Sequence, residues 1–152
     1  MNAANKIENI ERFHHSLDRA GADPEFLDRF YRSLMARSRR IQKIFEGIDM
    51  ARLKRALRSS LRAMVLAADD VPGAEDELRA LGRRHRKFAL QPEHFDLWKG
   101  SLLKTVAECD PKFDDELQQI WADVIGAGIE IIRDGMQPRP GQDRLNASAA
   151  GR

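Results

Sequence analysis

The sequence predicts an all-α domain, and three observations lead there. Apolar residues recur every three or four positions along almost the whole chain, while alternation of period two is nowhere sustained. Breakers such as Gly21-Ala22, Asp69-Asp70-Val71-Pro72-Gly73 and Asp110-Pro111 cut that pattern into pieces of helix length. The 152 residues, 42% of them hydrophobic, suffice to close one core but not two.

Ile7, Ile10, His14 and Leu17 are expected on one face of a first helix. Asp23-Pro24 reads as the start of a second, because Asp can cap free amides and Pro at the first helical position loses no hydrogen bond. That helix carries Phe26, Leu27, Phe30, Tyr31, Leu34 and Met35, and a short basic piece follows from Ser38 to Phe45. Asp49 is the expected cap of a long helix with Leu53, Leu57, Leu61, Met64 and Ala68 inward and Arg52, Lys54, Arg55, Arg58 and Arg62 elsewhere. The next helix aligns Leu78, Leu81, His85 and Phe88, and Gln91-Pro92-Glu93 opens another bearing Phe95, Trp98, Leu102 and Val106. A last helix runs through Leu117, Trp121, Val124, Gly128 and Ile131. Residues 1–136 should form the domain, and 137–152, rich in Pro and Gly and poor in bulky apolar residues, a flexible tail.

Lys and Arg number 26 against 24 Asp and Glu, so charge alone argues for neither nucleic acid nor membrane. One cysteine, Cys109, excludes an intrachain disulfide and any CxxC motif. The stretch MNAANKIENIERF has no signal-like apolar core and no segment is long and apolar enough to span a bilayer, so the expectation is a cytoplasmic protein. Gly-rich phosphate loops, HExxH and nucleophile elbows are absent from the sequence.

An imidazole on an apolar helix face, as at His85, is either a hydrogen-bonded core residue or a metal ligand. The segment Leu81-Gly82-Arg83-Arg84-His85-Arg86, followed by Leu90, Pro92 and Phe95, resembles the passage of globins that carries the proximal haem ligand. Upstream, Tyr31 and Phe45 keep the separation found in bacterial single-domain haemoglobins and the haem domain of flavohaemoglobins. The resemblance runs from about Phe26 to Ile132. It implies a three-over-three helical sandwich holding one b-type haem, with His85 on the iron and Phe45, Leu90 and Phe95 against the porphyrin. Tyr31, the only tyrosine, would then be the distal hydrogen-bond donor to a diatomic gas, dioxygen first, with nitric oxide and carbon monoxide as other ligands. Without haem, Tyr31, Phe45 and Phe95 are equally explained as core aromatics.

The distal helix departs from the family pattern. Where globins commonly carry His or Gln, this chain has Leu53, with Leu57 a turn deeper, or Leu57 and Leu61 if the alignment slips by one turn. A leucine wall lacks the base and cation that peroxide cleavage needs, unless Lys54 or Arg55 turns inward. Arg84 and Lys87, close to His85, are candidates for the haem carboxylates. Dioxygenation of nitric oxide with a separate reductase and gas sensing in trans are the alternative activities, and a monomer or homodimer is expected.

Overall fold

A computed structural model of the protein describes residues 3–138. The elements are α1 (Ala3–Gly21), α2 (Phe26–Arg37), α3 (Arg39–Phe45), α4 (Met50–Ala68), α5 (Ala74–His85), a 3₁₀ turn over Arg86–Phe88, α6 (Pro92–Cys109) and α7 (Asp115–Met136). No strand occurs among the described residues, as the periodicity predicts. Helices α1, α4 and α5 form one layer and α2, α6 and α7 the other, with α3 continuing α2. Of the expected tail, residues 139–152 lie outside the described residues. No described helix is long and apolar enough to cross a membrane.

The caps follow local chemistry. Asp49 accepts the Ala51 amide at the start of α4, Ser38 the Ile41 amide at α3, and Asp114 the Leu117 amide at α7. The second helix begins later than its Asp-Pro signal suggests: Asp23 instead accepts the Glu25 amide, Pro24 stays in the connecting turn, and α2 starts at Phe26. Helix α1 is also rotated in part from its expected face. Its buried residues are Ile10, Phe13, Ser16 and Ala20 and Leu17 is half-buried against the core, while His14 is exposed and Ile7 is 65% exposed.

Ser16 explains that rotation. The Trp121 indole donates to Ser16 Oγ at 2.9 Å, and Ser16 donates to Asp110 Oδ2 at 2.6 Å. Arg19 adds two bonds to the same carboxylate, at 2.6 and 3.1 Å, and the Lys112 amide a further one at 2.9 Å. The Asp110 carboxylate is fully buried, so it requires this many donors. Burial opposes its ionisation, but Arg19, Ser16 and the Lys112 amide together outweigh that and hold it below the usual carboxylate range. Phe13 packs on Trp121 with ring centroids 4.2 Å apart, so α1 is fastened to the α6–α7 corner by both polar and apolar contacts.

Helices α5 and α7 cross at backbone distance. A Cβ on Gly82 would strike the Ile132 carbonyl, and one on Gly135 would strike the Arg79 backbone. Arg79 bonds Asp134 across the crossing at 3.1 Å, and Arg86 donates to the Met136 and Gln137 carbonyls at 3.1 and 2.6 Å. These contacts bracket His85 and fix the helix that carries it.

Candidate functional site

A cavity of about 680 Å³ opens between α4 and α5, floored by α2, α6 and α7. Its volume lies within the ~300–1,000 Å³ typical of ligand pockets. Nine of the residues singled out from the sequence line it: Tyr31, Phe45, Leu53, Leu57, Arg84, His85, Lys87, Leu90 and Phe95. Leu61 does not; it faces a separate cleft between α1 and α4, which places Leu53 and Leu57 rather than Leu57 and Leu61 on the cavity wall.

His85 ends α5, and its Nδ1 lies 2.8 Å from the Leu81 carbonyl one turn back. A carbonyl can only accept, so Nδ1 carries the proton and Nε2 keeps its lone pair. Nε2 makes no hydrogen bond among the described residues. Burial lowers the basicity of the ring; the Leu81 bond works against this, and the positive charges of Arg84 and Lys87 reinforce it. The imidazole is therefore neutral near pH 7, the form that binds a metal. Phe88 packs edge-on against it, with centroids 5.6 Å apart.

Tyr31, Phe45 and Trp98 give the lining aromatic character, backed by the buried Phe30. Trp98, Phe30, Tyr31 and Phe45 form a run of edge-to-face contacts at 5.7, 5.0 and 5.7 Å. Tyr31 is buried, and its hydroxyl donates to the Leu53 carbonyl at 2.6 Å. Burial pushes this phenol far above its ordinary pKa, so it remains a protonated donor. The partner that a buried tyrosine requires is thus a backbone carbonyl of α4. Lys54 is held by Asp28 at 2.8 Å and does not line the cavity; Arg55 is exposed and also stays outside it.

Among the lining residues that sequence reasoning does not single out are His94, Trp98 and Arg52. His94, buried on the first turn of α6, accepts the Gln91 amide on Nδ1 at 2.9 Å and borders the cavity; the Gln91-Pro92 helix start three residues earlier is the signal that could have marked it. The helical pattern puts Trp98 on an apolar face and Arg52 on a polar one, and both line the cavity.

These features fit haem on chemical grounds. A neutral imidazole with one free lone pair faces an apolar, aromatic-lined cavity, and two cations stand beside it for a dicarboxylate.

A model of the globin family matches residues 28–131, and the chain belongs to that family. Its fold is similar to that of PA3967 from Pseudomonas aeruginosa PAO1, described as structurally highly homologous to a human haemoglobin. That likeness has a TM-score of 0.80 and 36% identity, covering 86% of this chain and 99% of the other. Two curated plant proteins are also similar. An anaerobic nitrite reductase of Gossypium hirsutum is 31% identical over 67 residues, 43% of this chain and 41% of that protein. Another, of Casuarina glauca, is 31% identical over 72 residues, 47% of this chain and 45% of that protein. The chain thus spans less than half the length of the curated relatives it matches. Membership of the globin family implies haem and a gaseous ligand.

Proposed function

We propose that this globin holds one b-type haem on His85 and binds a diatomic gas reversibly, dioxygen foremost. The observation that carries the reading is the His85 imidazole, fixed by Leu81 and left with one free nitrogen at the cavity wall. Haem, when bound, would supply an iron atom able to take a small gas. Residues of the chain then act on both faces. His85 supplies the neutral nitrogen donor, and the bond to Leu81 sets the orientation of its ring. Phe45, Leu90 and Phe95 exclude water and give the macrocycle apolar contact. Arg84 and Lys87, which line the cavity, would pair the two haem carboxylates. On the distal side Leu53 and Leu57 present no base, and Tyr31 is the hydroxyl donor, provided its proton leaves the Leu53 carbonyl.

His85→Ala tests the assignment directly. Titration of the purified variant with haemin should lose the stoichiometric Soret band; an unchanged spectrum would overturn His85 as ligand.

The names of the two plant relatives favour a second reading, the reduction of nitrite, which would need electrons from outside the chain. Dioxygenation of nitric oxide would need the same external reductant. Turnover in the presence of a supplied reductase separates both from simple gas binding.

A further inference from the structure

Helix α4 carries five basic residues, Arg52, Lys54, Arg55, Arg58 and Arg62, and not one Asp or Glu, in a chain whose charges nearly balance overall. Lys54 is neutralised by Asp28. The four arginines are exposed and make no ion pair or hydrogen bond among the described residues; Arg52 borders the cavity, while Arg58 and Arg62 border the α1–α4 cleft, whose lining also includes Asp18 and Asp23. From Arg52 to Arg62 the stripe is about 15 Å long at 1.5 Å per residue. It begins at the cavity, because Arg52 is itself a lining residue. Arg84 and Lys87 stand on the other lip, both exposed, and Glu77 is the only acid in the lining. A dicarboxylate held at the mouth accounts for two of these cations and leaves the α4 stripe unneutralised.

We propose that the outer face of α4, with the adjoining cavity mouth, is the docking surface for a small acidic electron-carrier protein. This deepens the haem reading above and rests on it for the partner's redox character. Charge complementarity selects an acidic partner: guanidinium groups pair carboxylates in bidentate fashion, and an unpaired row of them raises the rate of encounter. Continuity with the mouth selects the kind of partner, since a protein seated on this face covers the entrance and brings its own prosthetic group closest to the cavity. A nucleic acid is less well served, because no aromatic side chain alternates with the arginines. A bilayer is less well served still, because the apolar face of α4 is committed to the core.

The test uses a plant-type [2Fe–2S] ferredoxin as the acidic probe, titrated calorimetrically into the full chain with and without haem. Saturable binding is expected, weakening about tenfold or more between low salt and roughly 0.15 M ionic strength. Arg55→Glu/Arg58→Glu should lower affinity about tenfold or more. Lys104→Glu/Lys112→Glu, which makes the same change in net charge at exposed sites off α4, should change it less than about threefold. Equal losses in the two double variants, no saturable binding, or tighter binding of duplex DNA or phosphatidylglycerol vesicles than of ferredoxin would overturn the proposal. Failure of the haem assignment registers separately, in the Soret titration of the His85 variant, because the isotherm of the haem-free chain does not depend on it.

Discussion

Tyr31→Phe removes one oxygen from the cavity wall and keeps the ring packed between Phe30 and Phe45. Because the hydroxyl already donates to the Leu53 carbonyl at 2.6 Å, a bond to a gas ligand would replace an existing bond rather than add to the total. A neutral hydrogen bond contributes about 0.5–1.5 kcal/mol net, and one to a charge-bearing acceptor about 1.5–3 kcal/mol. The difference, about 1–1.5 kcal/mol, corresponds to a roughly five- to twelvefold faster release of dioxygen from the variant. Stopped-flow displacement of dioxygen by carbon monoxide from the haem-loaded proteins measures it. Carbon monoxide release itself should respond less, because that ligand draws less negative charge. Identical dioxygen release in both proteins would remove Tyr31 from gas binding. A hundredfold effect would refute the exchange with Leu53, since only a donor that is otherwise free could supply it. Urea unfolding of the haem-free chains should show a loss of about 1 kcal/mol in either case.

Gly82→Ala drives a methyl group into the Ile132 carbonyl; despite the better helix propensity of Ala, we expect a net loss of about 1–3 kcal/mol in urea unfolding and weaker haemin retention through displaced His85. Asp110 has a folded-state pKa below its unfolded value, so its contribution to stability is complete above about pH 4 and is lost as pH falls through the folded value. The urea midpoint of the native chain should therefore drop below pH 4, and Asp110→Asn should be less stable at pH 7 but show a flatter acid limb. Burial first, and Asp23 second, push the Cys109 thiol up to about 11, so alkylation by iodoacetamide at pH 8 should be slow in the folded chain and should accelerate in urea.

Much of the cavity was legible because its residues obey helical spacing. Leu78, Leu81, His85 and Phe88 share a face in the sequence and line the cavity together, and the same holds for Leu53 and Leu57. What hydrophobic periodicity could not convey was polar burial. Ser16 counts as a surface residue on any hydropathy scale, yet it is fully buried because Trp121 and Asp110 both bond it; of the expected face Ile7, Ile10, His14 and Leu17, Ile10 and Leu17 still pack inward while Ile7 and His14 are exposed. Tyr31 illustrates the same gap. Its burial and need for a partner were readable, but the partner is a main-chain carbonyl contributed by another helix, which no side-chain pattern encodes. Arg52 looked like its neighbours on α4; only the position of the helix beside α5 distinguishes the arginine at the mouth from the others.

The buried carboxylate at the α6–α7 corner also bears on where this protein can be cut. The family match begins at residue 28, after α1 has ended at Gly21. A chain trimmed to the matched span would strand the Asp110 carboxylate without Arg19 and Ser16, leave the Trp121 indole N–H without an acceptor, and uncover the ring surface that Phe13 protects. The segment that can be recognised is thus shorter than the segment that can fold, and the boundary for expression belongs ahead of α1.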